Sequence, residues 1–329
     1  MQGHKGREAN RFRSTCGAIA LVTACFLAAP DQARAASGDF NGDNRADILW
    51  RNSDSGNTIL WQMNGIVREA AGSIGWASSL WRIVGIADFD GDSRADVLWR
   101  NSNTGHTIIW MMDGFTRVDW ASIGAPSAGW QVAGLGDFNG DGRADILWRN
   151  ASTKKVFLWQ MNGFTKEDKG PIGAVSVDWS VDGVADFDGD GRADILWRNV
   201  NTGNTIVWRM DGFTRLAAQS VGAPSSVWQV AGTADFDGDT RADILWRNVS
   251  TGTVVIWQMD GFIRLDGQSI GTVNTAWAIE RTRDYNGDGL ADILWRNAGT
   301  GDTVIWQMDG FTKAAADKIG TINPTWRAE

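Results

Sequence analysis

After residue 25 the sequence contains no cysteine; both of its cysteines, Cys16 and Cys25, lie close to the N-terminus. Disulfides are therefore excluded as the brace for the rest of the chain. Histidine is nearly absent too: beyond His4 there is only His106, and Tyr285 is the single tyrosine. That leaves little for nucleophilic or histidine-based catalysis. Long apolar runs are also missing. The longest, 16–29, has 14 residues, short of the roughly 20 a spanning helix needs, so no transmembrane segment is expected.

That run follows a basic leader of Lys5, Arg7, Arg11 and Arg13 and precedes Ala33-Arg34-Ala35. The order is that of a signal peptide, residues 1–35, with cleavage after Ala35 and export to a secreted or cell-surface location. A lipoprotein site at Val22-Thr23-Ala24-Cys25 fits less well, because Phe26-Leu27-Ala28-Ala29 carries the apolar run past the cysteine. The leader holds five of the 31 basic and two of the 39 acidic residues, leaving 26 against 37, a net −11. Such a balance argues against nucleic acid as a partner and shows no basic surplus for an anionic membrane. Twenty-one of the 37 carboxylates fall in six short loops. These suit a cation.

The 294 residues from Ala36 to Glu329 are six units of 49, without insertion or deletion. In residues 81–129 the unit reads WRIVGIA, DFDGDSRAD, VLWRN, an SNTG turn, HTIIWMM, a DG turn and FTRVDWASIG. Short β-branched and aromatic segments bounded by Gly, Asn and Asp predict strands, and the Asn/Asp-Gly pairs predict hairpins. Four strands in a unit of about 40–50 residues match a propeller blade. In the 49-residue alignment Trp326 falls on Trp81, Glu329 on Val84 and Ala36 on Gly85. The C-terminal segment 326–329 thus supplies the front of the opening strand that the first unit lacks. The expected fold is all-β: a closed six-bladed β-propeller spanning 36–329, four antiparallel strands per blade, acting as a monomeric ring.

In each acidic loop, side-chain oxygens stand at positions one, three, five and nine, and the residue at position seven can add its backbone carbonyl. The expected ligand sets are Asp39, Asn41, Asp43, Arg45 and Asp47; Asp88, Asp90, Asp92, Arg94 and Asp96; and Asp137, Asn139, Asp141, Arg143 and Asp145. The other three are Asp186, Asp188, Asp190, Arg192 and Asp194; Asp235, Asp237, Asp239, Arg241 and Asp243; and Asp284, Asn286, Asp288, Leu290 and Asp292. Several hard oxygens on one tight turn suit Ca2+, up to six structural ions in all. An EF-hand is excluded, since position twelve is Trp, as at Trp99 and Trp148, and a strand follows rather than a helix.

These loops resemble the calcium loop of FG-GAP repeats, known from the propeller of integrin α-chains, and the ADILWRN continuation is more similar to the bacterial VCBS-type repeat. Integrin-type repeats carry Gly-Ala-Pro where this chain has Leu-Trp-Arg-Asn, and integrin propellers have seven blades. The resemblance implies calcium binding and extracellular recognition or attachment, often of glycans or matrix, and names no ligand.

Eighteen of the 20 tryptophans form three columns at the repeat period. Blade-to-blade packing is the first expectation for them. A second is that one column opens onto a groove, where indole faces stack on sugar rings beside arginine donors. The residues named for this are Trp50 and Arg51, Trp99 and Arg100, Trp148 and Arg149, Trp197 and Arg198, Trp246 and Arg247, Trp295 and Arg296. A salt bridge from each arginine to its own acidic loop is the alternative.

Three functions remain: a multivalent binding module for glycans or matrix (lectin-like or adhesive), a Ca2+-dependent polysaccharide lyase or glycosidase, and a scaffold that holds another protein. Uniform repeats without a longer loop favour the first and third. Asp119, Glu167 and Asp178 are the spare carboxylates an enzyme would draw on. The sixth unit is irregular, with Arg281 and Arg283 where the others have small residues, and the extra tryptophans Trp76 and Trp120 belong to the first two units.

Overall fold

Alternation of β-branched and aromatic residues, cut by left-handed glycines at the turns, makes every regular element among the described residues a strand. The computed structural model describes residues 38–329; the expected signal peptide lies outside the described residues. The strands form six four-stranded antiparallel sheets. Blade two shows the plan: Trp81–Ala87, Asp96–Asn101, Thr107–Asp113 and Thr116–Gly124, each paired with the next. Blades three to six repeat it within 130–174, 179–222, 228–272 and 277–321. The first strands of successive blades lie against one another and so stand nearest the ring axis. Among the described residues no helix is long and apolar enough to cross a membrane.

Blade one is assembled from both ends of the repeat array. Strand Trp326–Ala328 pairs with Ile48–Asn52, bringing Trp50 opposite Ala328 and Asn52 opposite Trp326. The Glu329 amide donates to the Leu49 carbonyl at 2.9 Å, and the Ser53 amide to Thr325 at 2.8 Å. Without this strand the inner edge of Ile48–Asn52 would be unpaired and open to other chains. Deleting 326–329 is expected to lower the melting temperature by roughly 5 °C or more and to produce concentration-dependent oligomers in light scattering. An unchanged melt and a monodisperse monomer would count against this role.

The core is divided into six clusters, each shared by two adjacent blades, including one that joins blades six and one through Tyr285, Leu294, Ile305, Trp50 and Met63. Trp50, Trp99, Trp148, Trp197, Trp246 and Trp295 fill the centres of these clusters at 0–1% exposure. At the seam, Arg283 of blade six lies over Gly38 and donates to the Asp47 carbonyl at 3.4 Å. A Cβ on Gly38 would come within 2.6 Å of that guanidinium, so the large residue on one blade is matched by the absence of a side chain on the next. Tyr285 stands where the other loops have Phe, and is wholly buried.

Candidate metal loops and the inter-blade ring

Each acidic loop leads into the second strand of its blade, in blades two to six directly from the first strand, and its carboxylates fold the turn before any ion is considered. In blade three, Asp137 accepts from the Gly140 amide through Oδ1 and from the Gly142 amide through Oδ2, both at 2.7 Å. Asp141 Oδ1 accepts from the Arg143 amide at 2.9 Å. Position four is Gly in every loop and position six is Asn, Ser, Gly or Thr, with φ between +63° and +86°. Gly and Asn adopt the left-handed region readily; Ser93 and Thr240 are held in it by their amides' hydrogen bonds to Asp88 and Asp235.

Position nine is different in kind. Asp145 is wholly buried, and its oxygens accept from the Phe138 amide at 3.1 Å and the Met161 amide at 3.0 Å. Asp47, Asp96, Asp194, Asp243 and Asp292 do the same for their own loop and third strand. Burial pushes these carboxyls up, Asp96 to about 8 and the other five to about 7. Asp39, Asp88, Asp235 and Asp284, at position one, are raised as well, again chiefly by burial. The inner side of each loop therefore places its position-nine carboxyl where water serves it poorly.

That chemistry fits a hard divalent cation. In blades two, four and five, one oxygen from each of three carboxylates lies within 4.8 Å of the others: Asp88, Asp90 and Asp96; Asp186, Asp188 and Asp194; Asp235, Asp237 and Asp239. In blades one, three and six the residue at position three is Asn, whose amide nitrogen donates to the position-five carboxylate, as Asn139 does to Asp141 at 3.0 Å. In blades one to five the position-seven arginine folds back onto the position-five carboxylate of its own loop, Arg94 on Asp92 and Arg143 on Asp141 at 3.2 Å and Arg241 on Asp239 at 3.1 Å. Arg94 and Arg241 reach Asp113 and Asp260 in the hairpin turn of their own blade.

Replacing Asp145 by Asn is expected to cost about 1–3 kcal/mol even in chelator, because an amide NH2 would face a backbone N–H. Asp141→Asn, whose contacts lie on the exposed side of the loop, should cost less than about 1 kcal/mol in chelator and show most of its effect when calcium is present. Thermal melts of both variants, with and without chelator, check this; identical behaviour of the two would refute the distinction.

The loops are also bonded to one another. The position-eight amide of each blade donates to the position-one carbonyl of the preceding blade: Ala144 to Asp88, Ala193 to Asp137, Ala242 to Asp186, Ala291 to Asp235 and Ala46 to Asp284 lie at 2.6–2.7 Å, with Ala95 to Asp39 alongside. A second series joins the hairpin glycine of each blade to the position-two carbonyl of the preceding one, from Gly114 to Phe40 round to Gly65 to Tyr285. Two closed circuits of backbone hydrogen bonds therefore pass through all six loops.

The sugar-stacking expectation for the first tryptophan column does not hold. Trp50, Trp99, Trp148, Trp197, Trp246 and Trp295 are sealed between blades, because the second strand of every sheet is covered on both faces. Their neighbours Arg51, Arg100, Arg149, Arg198, Arg247 and Arg296 are not free donors, nor do they bridge to the loops. Each points into the connection to the next blade; Arg100 donates to the carbonyls of Gly105, Pro126 and Trp130 at 2.9 Å. Each guanidinium also lies 4.7–5.6 Å from the ring centroid of the next blade's tryptophan, and Arg296 over Trp50 completes the circle. The columns are inter-blade fasteners. The second column, Trp61 to Trp306, is capped in every blade by Arg or Lys from the outer strand.

Asp119, Glu167 and Asp178 are scattered over the outer strand of blade two, the outer strand of blade three and the connection that follows it, and His106 is an exposed turn residue. Two features were missed in the sequence. Arg209 stands where the other units have Gln62, Met111, Gln160, Gln258 and Gln307. Asp182, Glu280 and Glu329 occupy a column otherwise filled by Val84, Ala133 and Ala231, which in blades two to six is the bulged position of the innermost strand. Reading those columns down the repeat would have found both.

Among solved structures, a chain of the nidogen/laminin complex aligns with a TM-score of 0.57 at 13% identity, covering 86% of this chain and 95% of that one. Streptogramin B lyase gives 0.50 at 7% identity, covering 88% and 85%. The calcium-binding protein regucalcin of Agrobacterium tumefaciens gives 0.45 at 11%, covering 70% and 72%. At these identities the likeness is one of fold alone. A search of curated proteins returns no match. The FG-GAP-like repeat family matches in four overlapping windows, 39–99, 88–148, 137–197 and 186–246. With its acidic loops repeating through six blades, the chain belongs to the FG-GAP-like repeat family.

Proposed function

We propose that the protein is an exported, calcium-fastened β-propeller that works as an extracellular binding scaffold for a protein partner. The observation that carries this is the pair of hydrogen-bond circuits through six cation-suited loops. Up to six Ca2+ ions would be held by the side-chain oxygens at positions one, three, five and nine and the carbonyl at position seven, Leu290 serving as well as the arginines. There they would neutralise buried carboxylates and stiffen the ring. This is a structural use of the metal, and it leaves the outside of the ring for recognition.

A contact surface is offered by blades one and two. Trp76 and Trp120 are 67% and 55% exposed, with Val118 and Leu80 also exposed on the same two blades. Trp120 is directly opposite Trp110 in the sheet, so the two share a face. The Trp110 ring reaches Gly75 of blade one, which directs Trp120 toward the neighbourhood of Trp76. Exposed large aromatics of this kind are enriched where proteins bind proteins. A chain of the nidogen/laminin complex with the same fold is a precedent for a propeller inside a protein complex.

The test is binding to a panel of extracellular matrix proteins and to a glycan array, in calcium and in chelator, with Trp76→Ser/Trp120→Ser as control. Binding to a matrix protein that the double variant loses supports the reading. Binding confined to sugars would replace it with a lectin. New unsaturated ends in uronic-acid polymers would replace it with a lyase.

A further inference from the structure

Five of the six blades place an uncharged side chain, Gln62, Met111, Gln160, Gln258 or Gln307, near the middle of the third strand beside the acidic loop. Blade four places Arg209 there, and its guanidinium is ion-paired with Asp188, the position-three carboxylate of that blade's loop. The Asp188 side chain is only 11% exposed. It is also one of the three carboxylates, with Asp186 and Asp194, whose oxygens converge within 4.8 Å. Gln62 and Gln160 instead extend toward the hairpin glycine of the next blade, Gly114 and Gly212. Arg209 leaves that space open, and a groove of about 520 Å³ lies there between blades four and five, lined by Asp188, Arg209, Gln219, Asp260, Phe262 and Ile263. Its guanidinium carbon is 5.9 Å from the Phe262 ring centroid.

We propose that Arg209 is an internal cation that competes with calcium for the loop of blade four. The inference rests on the calcium reading of the loops. Position-seven arginines already pair with the more exposed position-five carboxylate in blades one to five. Arg209 adds a second guanidinium, on the nearly buried position-three carboxylate. There it supplies part of the charge that the ion would supply and must be displaced by it. Blade four then fills at higher calcium than blades two and five. The displaced guanidinium has the adjoining groove to move into, toward the Phe262 face and Asp260. Occupancy of this one site would therefore change what the groove between blades four and five presents, while blades two and five stay filled.

Calcium titration by calorimetry, with ion counting by native mass spectrometry, tests this on the protein, Arg209→Gln and Gln258→Arg. The unaltered protein should hold the blade-four ion roughly tenfold more weakly than the ions of blades two and five, whose loops carry the same four aspartates. Arg209→Gln should bring the blade-four ion into the class of those two. Gln258→Arg, which sets the same arginine beside Asp237 in blade five, should weaken the blade-five ion in the same way. Equal affinity of blades two, four and five in the unaltered protein, or a weak blade-four site that persists in Arg209→Gln, would overturn the competition while leaving the loops as calcium sites. No binding by any of the three proteins would overturn the calcium reading itself.

Discussion

Excess chelator is expected to lower the melting temperature of the calcium-loaded protein by more than about 15 °C. A single site held at a hundred times its Kd contributes about 2.7 kcal/mol, or roughly 5 °C or more in a domain of this size, and six loops act on one ring. The dependence on pH gives the effect a second signature. Without the ion, the buried position-nine carboxyls titrate near 7, Asp96 near 8, against an ordinary value near 4 in the unfolded chain. A folded-state value above the unfolded one means that the native state holds the extra protons. The proton-linked stability is therefore fully present below about pH 4 and is lost as pH rises through about 7. The calcium-free protein should melt lower at pH 8 than at pH 5. Calcium binding needs the ionised groups and competes with protons, so ion affinity should rise with pH across the same window. The gap between loaded and chelated melts should thus widen from pH 5 to pH 8. A melt indifferent to chelator at pH 8 would refute the calcium reading of the loops.

Arg100→Ala is expected to cost about 2–3 kcal/mol, since it removes at once the charged donor shared by one buried and three part-buried backbone carbonyls. Gly105, Pro126, Ser127 and Trp130 would lose their donor together, and Trp148 would lose the cation above its ring. Lysine keeps the charge but not the planar fork, so Arg100→Lys should recover less than half of the loss. A double-mutant cycle with Trp148→Phe should return a coupling of about 1 kcal/mol. Because the partners are carbonyls rather than the loop carboxylates, the cost should be the same with and without calcium and change little with salt. A loss below about 1 kcal/mol would mean that the connections hold themselves in place.

What could be read from the chain alone follows from how each signal is encoded. The blade plan is local: Asp113-Gly114 makes the same turn as Asp211-Gly212, and a uniform 49-residue period leaves no room for a different number of blades. The carboxylate spacing is local as well, being set within nine residues. Burial of the Trp50 column is not, because it depends on the neighbouring blade. The arginine contacts are also remote: Arg51 reaches carbonyls 26 to 30 residues downstream, in a connection whose residues look like ordinary loop. A guanidinium beside an indole suggested a sugar site; its partners turned out to be backbone. Arg209 was visible only in comparison with its five counterparts, as an exception inside a regular column.

The two backbone circuits give the molecule the mechanics of a hoop. An open array frays from its ends, where one interface must fail for a unit to leave. A hoop has no end, so detaching any blade requires two interfaces to fail at once, each with its own core cluster, arginine and pair of hydrogen bonds. Breaks should therefore be rare and slow, and the working lifetime of the protein would be set by an unfolding rate more than by an equilibrium. The clasp is the place where that rate is decided, since blade one is closed by a strand of only three residues.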